Sequence, residues 1–364
     1  MKKILFIFAL LYIIPSCTNK RSYNEVMING FDNNYSDENT PLSAFIDTIE
    51  VIPLASDNNG VVLTNPQKLL LYENNYYILD NNRLLCFGAS GKFIRFIGER
   101  GHGHGEYINI ATFVVFNDTI KLLDSFKNTL ITYTLNGEFV SEKEAAEGAF
   151  SNVKDAVFEK DNVLFMANYI YNEKNDIYTR WNTLTGKVSV VDNSPVKTDG
   201  TKEYVGSHSF CHYNGNIRYI LPFSDVIKST NDNTVRFRTA KRILTDSELR
   251  DMTDYGIMAY STRLDDFVGF SNIFETENYL FLTFSNLEYT VVDKRSNECF
   301  RRSYQYDEDA EAFPLLNILS STEDALIGII DVEHYSHLKE KNQCRAHATC
   351  GKDYGYVVVV YHVK

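Results

Sequence analysis

Tyr76-Tyr77-Ile78-Leu79-Asp80, Leu84-Leu85-Cys86-Phe87 and Phe93-Ile94-Arg95-Phe96-Ile97 follow one another closely and read as three short strands. Gly88-Ala89-Ser90-Gly91-Lys92 joins the last two with hairpin chemistry, because glycine supplies the positive φ of a tight turn. The pattern then recurs. Thr119-Ile120-Lys121-Leu122-Leu123-Asp124 repeats the first strand and Leu130-Ile131-Thr132-Tyr133 the second. Asn136-Gly137-Glu138-Phe139-Val140 repeats the hairpin and third strand. The turn glycines 91 and 137 lie 46 residues apart, and the strand-final aspartates 80 and 124 lie 44 apart. A looser copy runs through Asn162-Val163-Leu164-Phe165-Met166 and Thr185-Gly186-Lys187-Val188. A further one covers Tyr279 to Phe284 and Tyr289 to Lys294.

A four-stranded unit recurring about every 40 to 50 residues has the period of a propeller blade. One such sheet cannot bury both faces alone, and stacking the units around an axis solves this. A pair of β-sandwiches would contain similar hairpins, but sandwiches rarely repeat in sequence. The expected fold is therefore all-β, a six-bladed β-propeller of four-stranded antiparallel blades. The last strand, Gly355 to Val363, is a near-continuous apolar run, as in a strand buried on both faces. It is expected to pair with the strand around Ile49 to Leu54, so that the N- and C-terminal strands close the ring. Asp47-Thr48-Ile49-Glu50-Val51-Ile52-Pro53-Leu54 alternates as that strand requires.

The N-terminus carries a different signal. Met1-Lys2-Lys3 precedes an uncharged apolar run from Ile4 to Ile14, of signal-peptide length and too short to span a bilayer. Ser16-Cys17 then resembles the lipobox of bacterial lipoproteins, with Pro15 and Ile14 as departures from its usual residues. The resemblance implies cleavage before Cys17 and a diacylglycerol on its thiol; an ordinary secretory peptide is the alternative. The expected organisation is a signal peptide over 1–16, a lipid-anchored flexible tether over 17–42 and the propeller over 43–364. Lys20 and Arg21 stand where surface-exposed lipoproteins often carry acidic residues, which favours an outer-membrane anchor facing the periplasm.

Gly98-Glu99-Arg100-Gly101-His102-Gly103-His104-Gly105-Glu106-Tyr107 closes one repeat and opens the next. It resembles the G-x-G-x-G-E-Y/F connector of NHL-like propellers. Together with Tyr77 to Asp80 before it, the Gly-Lys-Phe turn at Gly91 and the opening Phe45 to Leu54, it resembles the six-bladed β-propeller lipoprotein family of Bacteroides-type bacteria. That likeness is strong from Phe45 to Val140 and weaker onward. His104 stands where the family more often has proline, and the insertion bearing Cys344, His347 and Cys350 is a second departure. The family implies a fold and an address, and no reaction.

Composition excludes some partners. The 364 residues carry 24 Tyr and 24 Phe, a β-favouring balance, and a formal charge of −12, which becomes −14 without Lys2 and Lys3. No basic footprint for nucleic acid is present. Six cysteines do not form a disulfide scaffold: Cys86 reads as core, while Cys344 and Cys350 are close enough to staple a loop. The glycine-rich connector leads into a strand instead of a helix N-terminus, so it is no phosphate loop, and no cofactor is expected.

Candidate ligand-binding residues are Arg100, His102 and His104 in the connector, with His208 and His212 bracketing Cys211. On an extended chain the paired histidines share a side. Neither these nor His334, His337 and His347 have the spacing of a zinc module, so no metal site is expected. Asp265-Asp266 and Asp307-Glu308-Asp309 with Glu311 read as solvated loops, and Thr245 to Met252 as a short capped helix. No catalytic residue is assigned. The expected function is a non-catalytic, exported binding module for a glycan or partner protein of the cell envelope. The membrane is contacted through the lipid alone. The alternative is a propeller-type glycan lyase or hydrolase, with its site at the channel mouth.

Overall fold

The computed structural model describes residues 25–31, 42–55, 61–169, 176–193, 208–221, 224–231, 233–240, 268–283, 288–303, 315, 317–333 and 355–364. Two strands, β1 (Glu25–Ile28) and β2 (Ile46–Pro53), precede the first complete blade. Blade 1 is β3 (Pro66–Tyr72), β4 (Asn75–Asp80), β5 (Arg83–Gly88) and β6 (Phe93–Phe96). Blade 2 is β7 (Ile110–Phe116), β8 (Thr119–Asp124), β9 (Thr129–Thr134) and β10 (Phe139–Glu144). Blade 3 is β11 (Val153–Lys160), β12 (Val163–Asn168), β13 (Asp176–Asn182) and β14 (Val188–Asn193). Blade 4 is β15 (Phe210–Tyr213), β16 (Asn216–Ile220), β17 (Val226–Ser229) and β18 (Thr234–Phe237). Blade 5 is β19 (Asn272–Glu275), β20 (Tyr279–Thr283), β21 (Glu288–Asp293) and β22 (Glu298–Ser303). Blade 6 is β23 (Ile318–Ser321), β24 (Ala325–Asp331) and β25 (Tyr356–Val363), completed by β2.

The β2–β25 pairing, from Ile46 opposite Val363 to Pro53 opposite Val357, closes the ring as the sequence predicts. An apolar cluster fills each junction between neighbouring blades. Tyr77, Cys86, Phe113 and Tyr133 lie between blades 1 and 2, and Phe45, Phe281, Val357 and Tyr361 between blades 5 and 6. Burial of the Cys86 thiol there raises its pKa, so it is core.

The strands of a blade alternate in direction, so the ring has two unlike faces. Tight turns such as Glu73-Asn74 and Asn117-Asp118, and the turns around Gly91, Gly137 and Gly186 (φ 77°, 84° and 73°), all lie on one, the hairpin face. The blade-to-blade connectors lie on the other, the connector face. The buried strand-final aspartates bind the connectors there. Asp80 accepts the backbone N–H groups of Thr64 (2.8 Å) and Asn65 (2.6 Å). Asp124 accepts those of Ile108 (2.6 Å), Phe126 (2.8 Å) and Lys127 (2.9 Å). Asn82 adds a second clamp, donating to the Ile108 carbonyl and accepting from the Ile110 N–H.

In the glycine-rich connector, Glu106 accepts the Gly103 N–H at 2.7 Å and the Tyr133 hydroxyl donates to the Gly105 carbonyl at 2.7 Å. Gly105 has φ 73°, and a Cβ there would meet the Phe139 ring at 2.7 Å. Gly105→Ala is expected to lose about 2 kcal/mol, left-handed strain plus displacement of that ring. Gly186→Ala has the same φ and open space around it, so it should lose only the strain, about 1 kcal/mol. Urea denaturation of the two variants separates the terms.

One expectation is corrected. The stretch 17–42, read as a flexible tether, contains a strand: β1 pairs in parallel with β18, Glu25 opposite Thr234 and Ile28 opposite Phe237. Its four residues, Glu25-Val26-Met27-Ile28, are too short a run to establish a strand period beside the polar stretch that follows, and the open edge of β18 selects them. Ile28 and Phe31 are buried against Phe237 and Phe270. Asn29 reaches the next blade, donating to the Asn297 carbonyl and accepting from the Cys299 N–H, both at 3.0 Å.

Candidate functional site

The inner strands β3, β7, β11, β15, β19 and β23 surround the axis. Four of them carry a β-bulge at the same place. Pairing skips a residue between Pro66 and Lys68, Ile110 and Thr112, Val153 and Asp155, and Ile318 and Ser320. A bulge re-aims the side chain that follows it. Lys68, Asp155 and Ser320 accordingly line one channel cavity of about 240 Å³.

Lys68 is the crossbar of this channel. Its ammonium donates to the Phe113 carbonyl (2.7 Å) and the Thr112 hydroxyl (3.1 Å), and meets the Asp155 carboxylate at 2.5 Å. The pair bridges blades 1 and 3 past blade 2. Asp155 also accepts from the Thr112 hydroxyl and the Ala156 N–H, so both charges are compensated where solvent is scarce.

His208 stands just before β15 and joins this cavity. Asn272 accepts its backbone N–H, and its carbonyl accepts from Ile273, so blade 5 holds it. The residue is 8% exposed, and Nε2 has no hydrogen-bond partner. Burial lowers its pKa to about 4, with the Lys68 and Lys154 charges acting the same way against Asp155 and a hydrogen bond to the Leu319 backbone. The imidazole is therefore neutral at neutral pH. With Nδ1 carrying the proton, Nε2 keeps a bare lone pair, buried in the channel wall.

His212 lines the same channel, and partial desolvation lowers its pKa too. The two histidines thus come together as their spacing suggests, and Cys211 between them packs into the blade 4–5 junction. Burial, then the neighbouring Glu275 carboxylate, raises the Cys211 pKa well above the usual thiol range. Glu275 is itself held by Arg218 and Lys294, each at 2.9 Å.

The connector residues do not reach this site. Arg100, His102 and His104 are exposed at the blade 1–2 crossing. Arg100 bridges to Tyr107 through the backbone, and His104 Nδ1 lies 2.8 Å from Glu142 with its ring edge-on to Phe139. The Gly105 N–H and then His104 lower the Glu142 pKa, so this contact secures the crossing. Among the described residues no three His, Cys, Asp or Glu side chains gather closely enough to hold a metal ion. Cys17, Cys344, Cys350, His334, His337, His347, the stretch Thr245 to Met252 read as a capped helix, and the acidic residues at 265–266 and 307–311 lie outside the described residues.

Lys68, Thr112 and Asp155 were not among the expected site residues. Their signal is the repeat itself: they stand 44 and 43 residues apart, in phase with Asp80 and Asp124. A polar residue at one repeat position of consecutive inner strands marks the channel.

The family described as a domain of unknown function, DUF4934, matches residues 27–354. The chain belongs to the DUF4934 family. No curated protein matches the sequence. A solved structure of a Bacteroides fragilis protein, named as exported, is similar to this DUF4934 chain over 94% of its length and 100% of its own. The TM-score is 0.70 and the identity 17%. A member of the DUF4221 family from Bacteroides vulgatus covers 88% of this chain and 97% of its own, at a TM-score of 0.53 and 11% identity. At these identities the likeness to the DUF4934 chain is one of fold.

Proposed function

We propose that the protein is an exported, lipid-anchored propeller of the cell envelope that binds the terminal residue of a glycan in its channel. The observation that carries this reading is an open, polar-edged channel cavity lined by Lys68, Asp155, His208 and His212, with the Nε2 of His208 unpartnered in its wall, where a side-chain shift would bring it to a ligand. A neutral imidazole with a bare lone pair accepts a hydrogen bond, and a sugar hydroxyl supplies one. Asp155 and Ser320 beside it offer an acceptor and a hydroxyl, and Phe210 and Phe274 supply apolar surface to a sugar ring. The cavity of about 240 Å³ falls below the ~300–1,000 Å³ of drug-sized sites, which suits one sugar unit better than a longer chain. Export is supported by the leader-like N-terminus and by whole-length similarity to an exported protein. The connector from Gly98 to Tyr107 supports an NHL-like repeat.

A glycan-array screen of the mature protein, followed by titration calorimetry, tests the binding. Wild type is expected to bind a terminal sugar. His208→Phe should weaken binding by about tenfold or more, the loss expected of one buried hydrogen bond, while His208→Gln, which keeps an acceptor, should lose less. Silence across the array overturns the glycan reading. Equal binding by wild type and a folded His208→Phe overturns the site.

A further inference from the structure

We propose that β14, the outermost strand of blade 3, is a docking edge that receives an extended, basic segment of a partner protein as a fifth strand. The site is separate from the channel and does not depend on what binds there.

The contrast with the other blades carries the inference. An outermost strand presents a row of unpaired N–H and C=O groups, and proteins guard such rows with charge, proline, shortness or a covering segment. β10 carries Glu142, Lys143 and Glu144, and β2 carries Asp47 and Glu50 and ends at Pro53. β6 is four residues long, and Ala55 bridges to Lys92 just before it. β22 carries Glu298, Arg301 and Arg302, and Asn29 bridges to Glu298. β18 is covered by β1, which shows that a blade of this ring accepts a fifth strand. Across Val188-Ser189-Val190-Val191, β14 has none of these guards, and no described strand pairs with its outer side.

The register shows which backbone groups are free. The Asn182 N–H donates to the Lys187 carbonyl at 2.9 Å. Trp181 and Val188 therefore face each other as a non-hydrogen-bonded pair, and Thr179 and Val190 form the next such pair. The N–H and C=O groups of Val188 and Val190 thus point outward, away from β13. Val188 is 39% exposed and Val190 50%, so apolar side chains flank the free backbone groups.

Charge then selects the occupant. Beside Val188 lies a cavity of about 290 Å³, lined also by Ala149, Asn168, Thr179, Glu147 and Asp176. Glu147 and Asp176 are exposed, and neither has an ion-pair partner among the described residues. When a peptide adds to a sheet edge, main-chain bonds give affinity and pockets for alternate side chains give specificity. A Lys or Arg side chain of the added strand finds carboxylates in the wall of this cavity. Asp176 stands opposite Asn193, so the basic residue belongs near that end of β14, away from Lys187. A second copy of this chain fits poorly, because it brings a formal charge of −12 to an acidic edge.

The test pans a phage library of random nine-residue peptides on the mature protein, then titrates the enriched peptides by fluorescence anisotropy. The enriched sequences should alternate β-branched residues and carry a Lys or Arg. Val190→Pro removes an outward N–H that makes no bond to β13, a place where an edge strand tolerates proline. Val190→Lys adds the missing guard and leaves the backbone as it is. Both should weaken binding by about tenfold or more, as loss of main-chain pairing requires, with urea denaturation showing each variant folded. Glu147→Gln with Asp176→Asn should weaken it about two- to fivefold, the scale of an exposed ion pair. No enrichment, or equal binding by wild type and folded Val190→Lys, overturns the docking edge. Enrichment without basic residues overturns the basic partner. A dimer in sedimentation that Val190→Lys dissociates assigns the edge to a second copy and overturns the partner protein.

Discussion

Asp124→Ala is expected to lower the unfolding free energy by about 4 kcal/mol, a loss on the scale of breaking a buried charged group's contacts. The carboxylate is fully buried and accepts three backbone N–H groups, from Ile108, Phe126 and Lys127. Truncation leaves all three donors without an acceptor and opens a cavity beneath the connector. A hydrogen bond to a charged acceptor contributes about 1.5–3 kcal/mol, and the connector recovers part of that by admitting water. Asp124→Asn keeps the volume but offers one oxygen and aims an N–H toward donors, so it should lose about half as much. Urea denaturation with an unchanged m-value is the measurement. A loss below about 1 kcal/mol for Asp124→Ala would mean that water already serves these amides.

Acidification should destabilise the protein through His208. The folded imidazole titrates at about 4 against an ordinary value of 6.5. Between these values the unfolded chain binds the proton and the folded one does not. Stability therefore rises with pH across this window: it is fully present above about 6.5 and is lost as pH falls toward 4. The difference corresponds to about 3 kcal/mol. Burial is the main cause, Lys68 and Lys154 reinforce it, and Asp155 and the Leu319 backbone oppose it. Carboxylates titrate in the lower part of this range as well, so the informative quantity is the difference between wild type and His208→Gln. The variant should be nearer to wild type at pH 4.5 than at pH 7. Parallel pH–stability curves would sink the assignment of a buried neutral imidazole.

The middle strands were the legible part of the fold. Ile78 and Leu85 are buried on one side of their sheet and Tyr77 and Leu84 on the other, so their segments are apolar and repeat visibly. The inner strands were harder to read. Lys68, Thr112 and Asp155 are polar because they face the channel, and the bulges before them break the two-residue period. Of the expected site residues, His208 and His212 enter the channel. Arg100, His102 and His104 lie at a crossing whose glycine pattern reflects close packing against Tyr133 and Phe139.

From residues alone, the strand–hairpin repeat determined the propeller and its period, and the apolar last strand determined that the chain ends would meet. Both are local or nearest-neighbour properties: a blade needs its strands, its turns and two apolar faces. Three things required the closed ring. Lys68 and Asp155, 87 residues apart, form a pair only because curvature brings non-adjacent inner strands together across the axis. The Nε2 of His208 is left bare only because blade 5 and the channel wall surround it. And β1 becomes a strand because blade 4 presents an open edge to Glu25-Val26-Met27-Ile28, a run too short to declare itself in sequence. Long-range closure decides these contacts, and no window of sequence contains it.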